Sequence, residues 1–185
     1  MPERENLLSY RIDNRDVLVS VFNYWDRSAI RDGASELASD AILGRNLWDF
    51  VSGDAIRHIY KKILERVRSG ETLDFDFRCD APDERRFLSI RISPAENGEV
   101  EFETRTIRLE QRPAQDIFLR HTDFTDQLVV ACSWCKKIRT HGEVWQEIEQ
   151  AVVILELFKS EPVPQLSHGM CPDCYEAALK KVAER

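Results

Sequence analysis

Two short stretches determine how the last third of this 185-residue chain is expected to fold: Cys132-Ser133-Trp134-Cys135 and Cys171-Pro172-Asp173-Cys174. In each stretch a tight turn can bring both sulfurs to one side, where backbone N–H groups of the turn can donate to them. Two such pairs supply four thiolates, which form a closed tetrahedral site for Zn2+ with bonds of about 2.3 Å. Because thiolates are soft ligands, they favour zinc or an iron–sulfur centre over magnesium or calcium. The pattern therefore predicts a structural zinc site at Cys132, Cys135, Cys171 and Cys174.

The segment between the two cysteine pairs is longer than in common zinc motifs. It has 35 residues, 136 to 170, whereas the usual spacing is about 15–20, so it must contain folded structure of its own. His168 lies three residues before Cys171 and is an alternative ligand. A turn, an intervening element and a ligand-bearing helix are the layout of a treble-clef or ribbon-like zinc module. The helix is indicated by apolar residues at i, i+3, i+4 and i+7: Tyr175, Ala178, Leu179 and Val182.

The charge balance bears on the partners that the chain is expected to bind. Asp and Glu number 33 against 26 Lys and Arg, a net charge of −7, which does not favour bulk nucleic-acid or anionic-membrane binding. Lys136-Lys137-Ile138-Arg139 is a basic run that could contact phosphates. However, residues 128–185 are slightly acidic as a whole, and lysines beside four thiolates would offset their negative charge.

The location of the protein is predicted from what the sequence lacks. No apolar run approaches the roughly 20 residues that span a bilayer, and residues 1–6 are charged and lack the apolar core of a signal peptide. We therefore expect a cytoplasmic protein without membrane contact. Cysteines stay reduced there, so four of them in this pattern indicate a metal rather than disulfides.

The first part of the chain has the pattern of an antiparallel sheet with helices. Residues 9–23 predict a hairpin whose second strand, 17–22, is apolar enough for a central strand covered on both faces. Residues 73–79, 88–92 and 100–106 alternate apolar and polar side chains, and Asn97-Gly98 indicates a tight turn. A helix is predicted between these groups of strands, with Gly70 at its C-terminal end. Its apolar stripe is Ile56, Ile59, Tyr60, Ile63, Leu64 and Val67.

This order of elements resembles the PAS domain family over about residues 7–109. The matching features are the hairpin 10–22, the segment 42–50 before the long helix, and the three strands within 73–106. The resemblance implies an α+β fold with a five-stranded antiparallel sheet and helices on one face, to which the small C-terminal zinc-binding α+β module is added. The predicted division is a PAS-like sensor domain at 1–109, a linker or connecting helix at 110–127, and the four-cysteine module at 128–185.

The C-terminal part resembles a cysteine-rich module that is attached to PAS and receiver domains in bacterial signalling proteins. The matching residues are 132–139, Trp145 and 167–175. The resemblance implies a place in signalling, whereas the prediction of zinc rests on the ligand pattern itself.

The resemblance to PAS domains also implies a cavity that can hold heme, flavin or a small metabolite. His58 lies on the predicted helix, but opposite its apolar stripe, so it is expected to face solvent rather than ligate heme. The flavin-photoreceptor pattern of an Asn-Cys pair followed by Arg-Phe is absent. Cys79 is interpreted as a small residue on the inner face of its strand. Heme and flavin are therefore not favoured, and the pocket ligand stays unassigned.

No pattern in the sequence predicts an enzyme, and no catalytic residue is assigned. A phosphate-binding glycine loop, a nucleophile elbow and kinase motifs are absent, and a four-cysteine zinc site leaves no open coordination position for catalysis.

The sequence predicts a non-catalytic signal-transduction protein in which a PAS-like sensor is coupled to a structural zinc module. The module is expected to contact a signalling partner protein, whereas the sequence leaves open whether the PAS-like domain forms a homodimer. Two alternatives are a redox sensor that uses the cysteine thiols with zinc release and a nucleic-acid-binding regulator.

Overall fold

The computed structural model describes residues 7–115, 124–157 and 163–184, and in these ranges the protein is α+β with two sheets. Within the same ranges, no helix is long and apolar enough to span a membrane. The helices are α1 (Trp25–Arg31), α2 (Ser39–Ile42), α3 (Asp54–Arg68), α4 (Ile148–Ile154) and α5 (Pro172–Ala183). The strands are β1 (Leu7–Ile12), β2 (Leu18–Asn23), β3 (Leu73–Arg78), β4 (Glu84–Pro94), β5 (Val100–Gln111), β6 (Phe124–Cys132), β7 (Ile138–Arg139), β8 (Trp145–Gln146) and β9 (Val163–Gly169).

The first sheet is antiparallel and has five strands in the order β2-β1-β5-β4-β3, which confirms the predicted number of strands and their direction. The β1–β2 turn is held by Asp13, whose carboxylate accepts the backbone N–H groups of Arg15 and Val17. Asn97 and Gly98 make the β4–β5 turn with φ of 59° and 77°, values that asparagine and glycine tolerate best.

Strand β2 lies at an edge of this sheet, so the prediction of a central strand covered on both faces is wrong. β2 pairs only with β1 within the described residues. Val19 and Phe22 are 41% and 38% exposed. The continuous apolar run was misleading because one side of it packs on the core through Leu18 while the other faces solvent.

Helix α3 packs its apolar stripe on the inner face of the first sheet, as predicted. Gly70 follows its last turn with φ of 106°, a left-handed conformation that favours glycine. Tyr60 of the helix stacks near Phe102 of β5, which in turn stacks on Tyr10 of β1 at 4.6 Å between ring centroids. These rings lie between helix and sheet, and burial raises the pKa of both tyrosines. The buried residues of the stripe are Ile56, Ile59, Ile63, Leu64 and Val67.

The second sheet has the order β8-β7-β6-β9, and the sequence did not predict it. β6 and β9 are parallel, and parallel neighbours need a long crossover connection. That crossover contains β7, β8 and α4, which explains the long spacing between the two cysteine pairs. The core of this sheet is formed by Val129, Ala131, Ile138, Ile148, Ala151 and Leu157.

The predicted linker at 110–127 is only partly described. β5 runs to Gln111 and β6 begins at Phe124, and the interpretation of a linker or connecting helix over 116–123 lies outside the described residues. The division into domains stays a prediction.

Helix α5 packs into the core of the first sheet rather than into that of the second. Its Ala178 and Val182 are buried in the cluster that includes Ile63 and Phe75. Arg66 of α3 donates to the carbonyl oxygens of Val182 and Glu184, the latter at 2.6 Å, and so satisfies groups that a helix end leaves unpaired. The C-terminal helix therefore completes the N-terminal core.

Candidate metal centre

The first cysteine pair lies in a tight turn at the end of β6. The backbone N–H of Lys136 donates to the carbonyl of Cys132 at 3.0 Å, and the N–H of Cys132 donates to the carbonyl of Lys137 at 2.8 Å. Lys136 adopts φ of 63° to close the turn. This geometry brings Cys132 and Cys135 to the same side of the chain, as the spacing predicts.

The second pair lies in the first turn of α5. Cys171 is the N-terminal cap residue, Pro172 is the first helical residue, and Cys174 follows within the same turn. Proline suits this position because the first helical N–H has no partner in the helix. The positive end of the helix dipole favours negative charge on both sulfurs.

The two pairs meet because they follow neighbouring parallel strands. Cys132 is opposite Gly169 in the pairing of β6 with β9, so the carboxyl ends of both strands lie at one edge of the sheet. The backbone N–H of Ser133 donates to the carbonyl of Gly169 at 2.9 Å and joins the two chain segments there. The parallel pairing therefore positions the four cysteines.

The four sulfurs lie within 4.8 Å of one another, and Cys135 Sγ is 3.7 Å from Cys171 Sγ. A tetrahedral Zn–S4 site with bonds of about 2.3 Å requires about 3.8 Å between sulfurs, so the cluster has the size that zinc needs. Cys132 and Cys171 are buried, whereas Cys135 and Cys174 are half-buried. Soft sulfur donors exclude magnesium and calcium as natural occupants.

The close approach of the four sulfurs shifts the pKa values of their thiols. Thiol hydrogen bonds from Cys135 and Cys174, together with backbone N–H donors that include Cys171 at 3.4 Å, lower the pKa of Cys132. Its neighbour Cys132 raises the pKa of Cys135 to about 12, and the same contact raises the pKa of Cys174. Four sulfurs within 4.8 Å of one another therefore oppose one another's ionisation when no cation lies between them. A bound divalent cation would remove that opposition.

His168 is not a member of this cluster. The ligand atoms that lie within 4.8 Å of one another are the four sulfurs only, within the described ranges. His168 lines a shallow pocket with Tyr60 and Ser133. Its pKa is lowered by partial desolvation and by the charge of Lys136. Lys136 itself donates to the carbonyl of Ser133 at 3.0 Å. The role of His168 as an alternative ligand stays a prediction.

Two other residues that the sequence analysis considered lie outside the centre. His58 is exposed on α3, as predicted, with its ring 6.3 Å from that of Tyr175. Cys79 is exposed just after the end of β3, so its interpretation as a core residue is wrong. The alternation of β3 stops at Arg78, and the chain turns away one residue before the expected inward position.

Trp134, between the first two cysteines, attaches the centre to the edge of the first sheet. Its carbonyl accepts the backbone N–H of Arg78 at 2.7 Å, and its Nε1–H donates to the carbonyl of Asp76 at 2.8 Å. Its ring meets that of Phe75 edge to face at 5.7 Å. Since β3 is an edge strand, these bonds satisfy backbone groups that it would otherwise expose. The sulfur cluster and the first sheet are thus joined directly.

A network of ion pairs with a buried centre, which no pattern in the sequence predicted, lies beside this contact. Asp80, whose side chain is fully buried, bridges Arg78 and Arg112. Arg78 also forms an ion pair with Glu147, with 2.8 Å between Nη1 of the arginine and Oε2 of the glutamate. Desolvation lowers the pKa of Arg78, but the hydrogen bonds that its guanidinium donates to Asp80 and Glu147 outweigh this effect and raise the pKa. The six members of the network carry three charges of each sign: Arg78, Asp80, Arg85, Arg112, Glu147 and Glu149.

Replacing Trp134 by Phe should lower the free energy of unfolding by about 1 kcal/mol, because the Asp76 carbonyl loses its donor while the ring contact remains. Trp145→Phe is the matched control. The Nε1–H of Trp145 is buried without a hydrogen-bond partner among the described residues, so its removal should be neutral or stabilising. Urea unfolding of both variants measures the difference. Equal effects would contradict the role of the Trp134 bond.

Comparison with models of protein families finds no match, and comparison with curated proteins finds none either. Among solved structures, the chain is similar to a domain of an HTR-like protein from Haloarcula marismortui, with a TM-score of 0.40 and 15% sequence identity. The similarity covers 55% of this chain and 98% of that domain. At this level of similarity, function has to be inferred from the residues of the chain itself.

Proposed function

We propose that the protein is a non-catalytic signal-transduction protein in which a PAS-like sensor domain is coupled to a structural zinc centre. The observation that carries the proposal is the group of four cysteine sulfurs within 4.8 Å of one another. A site with four thiolates is closed, so zinc bound there has a structural role and leaves no position for a substrate. The five-stranded antiparallel sheet with its helices supports the PAS-like interpretation of the first part.

The coupling is supported by two contacts between the centre and the first sheet. Trp134 bonds to the edge strand β3 on one side of the cluster. α5, which carries Cys174, buries Ala178 and Val182 in the first core. Through these two contacts, a conformational change in the first sheet would alter the positions of the cysteines. Loss of the metal would in turn loosen the packing of α5 and of Trp134 on the sheet. We propose that the C-terminal module presents this state to a partner protein.

Metal analysis of the purified chain tests the proposal. Atomic absorption should find about one zinc per chain under reducing conditions, since four thiolates bind one ion. An absorbance spectrum of the same sample would detect an iron–sulfur centre, heme or flavin. A reduced protein without any bound metal would reject the site.

Hydrogen exchange with and without a chelator tests the coupling. Removal of the metal should speed exchange in α5 and at the Arg78 amide, which donates to Trp134. The β1–β2 hairpin, at the opposite edge of the sheet, is the internal control and should be unchanged. Faster exchange confined to α5 and the cysteine turns would show that the centre is not coupled to the sheet.

A second candidate function, a redox sensor, is favoured by the exposure of two of the four cysteines. Cys135 and Cys174 are half-buried, and oxidation of such a pair would deprive the metal of two ligands. Zinc release on mild peroxide treatment separates a sensor from an inert structural site.

A further inference from the structure

The sulfur cluster has a closed side and an open side. Cys132, the last residue of β6, is 0% exposed, and Cys171, the N-terminal cap of α5, is 2% exposed. Cys135 and Cys174 are half-buried, and both line a groove beside the first sheet. A reagent that reaches the centre from solvent would therefore meet these two sulfurs first.

The groove is mostly apolar and large enough for a small organic molecule. Its volume is about 370 Å³. Its guanidinium groups are already engaged: Arg78 pairs with Asp80 and Glu147, and Arg108 pairs with Glu110 and stacks on Phe87. The groove therefore offers contact to an apolar group and no free cation to an anion. The residues that form its apolar walls are Phe77, Leu88, Ile107 and Trp134.

We propose that Cys135 and Cys174 are the reactive edge of the centre and that the groove delivers neutral organic hydroperoxides to them. The proposal rests on the proposed metal centre, since bound metal keeps the sulfurs as thiolates, which are the reactive form of cysteine. An organic hydroperoxide combines an uncharged, apolar group for the walls with an O–O bond for the sulfurs. Hydrogen peroxide has only the second feature.

The reaction balances with the hydroperoxide as the oxidant. The thiolate of Cys135 attacks the terminal oxygen, the O–O bond breaks, and the alkoxide leaves with the electron pair and takes a proton to become an alcohol. Cys135 is then a sulfenic acid. The thiolate of Cys174 attacks its sulfur, an S–S bond forms, and hydroxide leaves and is protonated to water. Two electrons pass from the sulfurs to the peroxide. The sulfurs start within 4.8 Å of each other, so side-chain rotation and a small shift of the turn can join them.

The order of oxidation tests the reactive edge. The Cys79→Ser chain, which lacks the exposed cysteine outside the cluster, is loaded with zinc and treated briefly with cumene hydroperoxide. Differential alkylation and peptide mass spectrometry then locate the oxidised residues. We expect Cys135 and Cys174 to be oxidised first and to be joined by a disulfide. First oxidation at Cys132 or Cys171, or equal oxidation of all four, overturns the proposal.

The preference for an organic hydroperoxide is tested with two surface variants. Ile107→Asn changes a groove wall, and Leu109→Asn changes a residue of the same strand that does not line the groove; both side chains are 53% exposed. Ile107→Asn should slow oxidation by cumene hydroperoxide by at least about fourfold, because an amide replaces apolar contact equivalent to at least one buried methylene, and it should leave oxidation by hydrogen peroxide unchanged. Leu109→Asn should change neither rate. Equal rates for all three chains would overturn the role of the groove.

The metal content of each sample is measured before oxidation, so that the two proposals fail separately. A chain with zinc whose buried cysteines react first contradicts the reactive edge and leaves the metal centre intact. A chain that binds no zinc contradicts the proposed function, and with it the thiolate chemistry of the reactive edge.

Discussion

Replacing Cys171 by Ser should remove the metal and unfold the last third of the chain. Serine cannot replace a buried thiolate ligand, and the remaining three sulfurs would hold zinc far more weakly. Structural zinc in small modules contributes on the order of ten kcal/mol to folding, and the second sheet has few buried apolar residues to replace it. We expect this to be one of the two largest effects of a single substitution.

Substitution at Cys171 removes a metal ligand without removing the N-terminal cap of α5. Cys171 is the N-terminal cap of α5, and serine is among the best residues for that position. The start of the helix should therefore be as stable as before, or more so, and any unfolding can be attributed to the missing sulfur. Because α5 buries Val182 in the first core, the damage should extend to the first sheet.

Metal analysis, thermal unfolding and limited proteolysis measure the outcome. Cys171→Ser should contain little zinc, unfold at a much lower temperature and be cut within residues 124–184. Cys79→Ser is the matched control, because Cys79 is exposed and outside the cluster, and it should behave as the unaltered chain does. A Cys171→Ser protein that keeps its zinc and its unfolding temperature would show that the four sulfurs do not act as one site.

The cysteine turns and α5 could be predicted because their signals are local. The spacing of Cys132 and Cys135 allows both sulfurs to lie on one side of a tight turn, and Pro172 followed by the apolar stripe of α5 favours the start of a helix. The same holds for α3 and for β3, β4 and β5, whose side chains repeat at 3.6 or 2 residues, whereas the continuous apolar run of β2 led to a wrong position for that strand in the sheet. Each of these elements is determined by residues close to one another in sequence.

The second sheet could not be predicted because its pairing is not local. β6 and β9 are parallel and separated by the whole crossover, and no sequence pattern indicates which strand pairs with which. The apolar run 128–131 is a strand signal, but the polar residues before it favour a linker. β9 contains Pro164, which argues against a strand except at an edge, where β9 in fact lies.

The buried ion pairs escaped prediction for a related reason. Charged residues that alternate with apolar ones along a strand usually face solvent, and Arg78 follows this pattern in β3. Trp134 and Glu147, which precedes α4, contact Arg78 at that edge of the sheet and contribute to its burial. When a residue distant in the sequence buries a charged side chain, the sequence around that side chain does not indicate the burial.

Replacing Asp80 by Asn should destabilise the protein by about 3–5 kcal/mol, because one partner of a buried ion pair is removed and the other stays charged. Asp80 lies between two guanidinium groups, with Arg78 at 2.5 Å and Arg112 at 3.2 Å. Asparagine has nearly the same shape, so packing is kept while the negative charge is lost and an amide N–H2 group faces two cations. Urea unfolding gives the change in the free energy of unfolding.

Asp74→Asn is the matched control for this prediction. Asp74 lies in β3 and also pairs with an arginine, Arg91, but both side chains of that pair are largely exposed, so water screens the pair and its loss should have little effect. The two substitutions therefore differ in burial and hardly in chemistry. A loss for Asp80→Asn no greater than that for Asp74→Asn would mean that burial of the Asp80 ion pairs adds nothing to the stability of the protein.

The metal content of Asp80→Asn distinguishes this network from the sulfur cluster. No member of the network is a cysteine, so the folded variant should retain its zinc even though it unfolds at a lower urea concentration, whereas Cys171→Ser should lose both metal and stability. The network links β3 to Glu147 at the start of α4, independently of the bonds that Trp134 makes to the same strand. If Asp80→Asn also lost its zinc, the ion pairs and the metal centre would form a single cooperative unit, and stability and metal binding could not be altered separately.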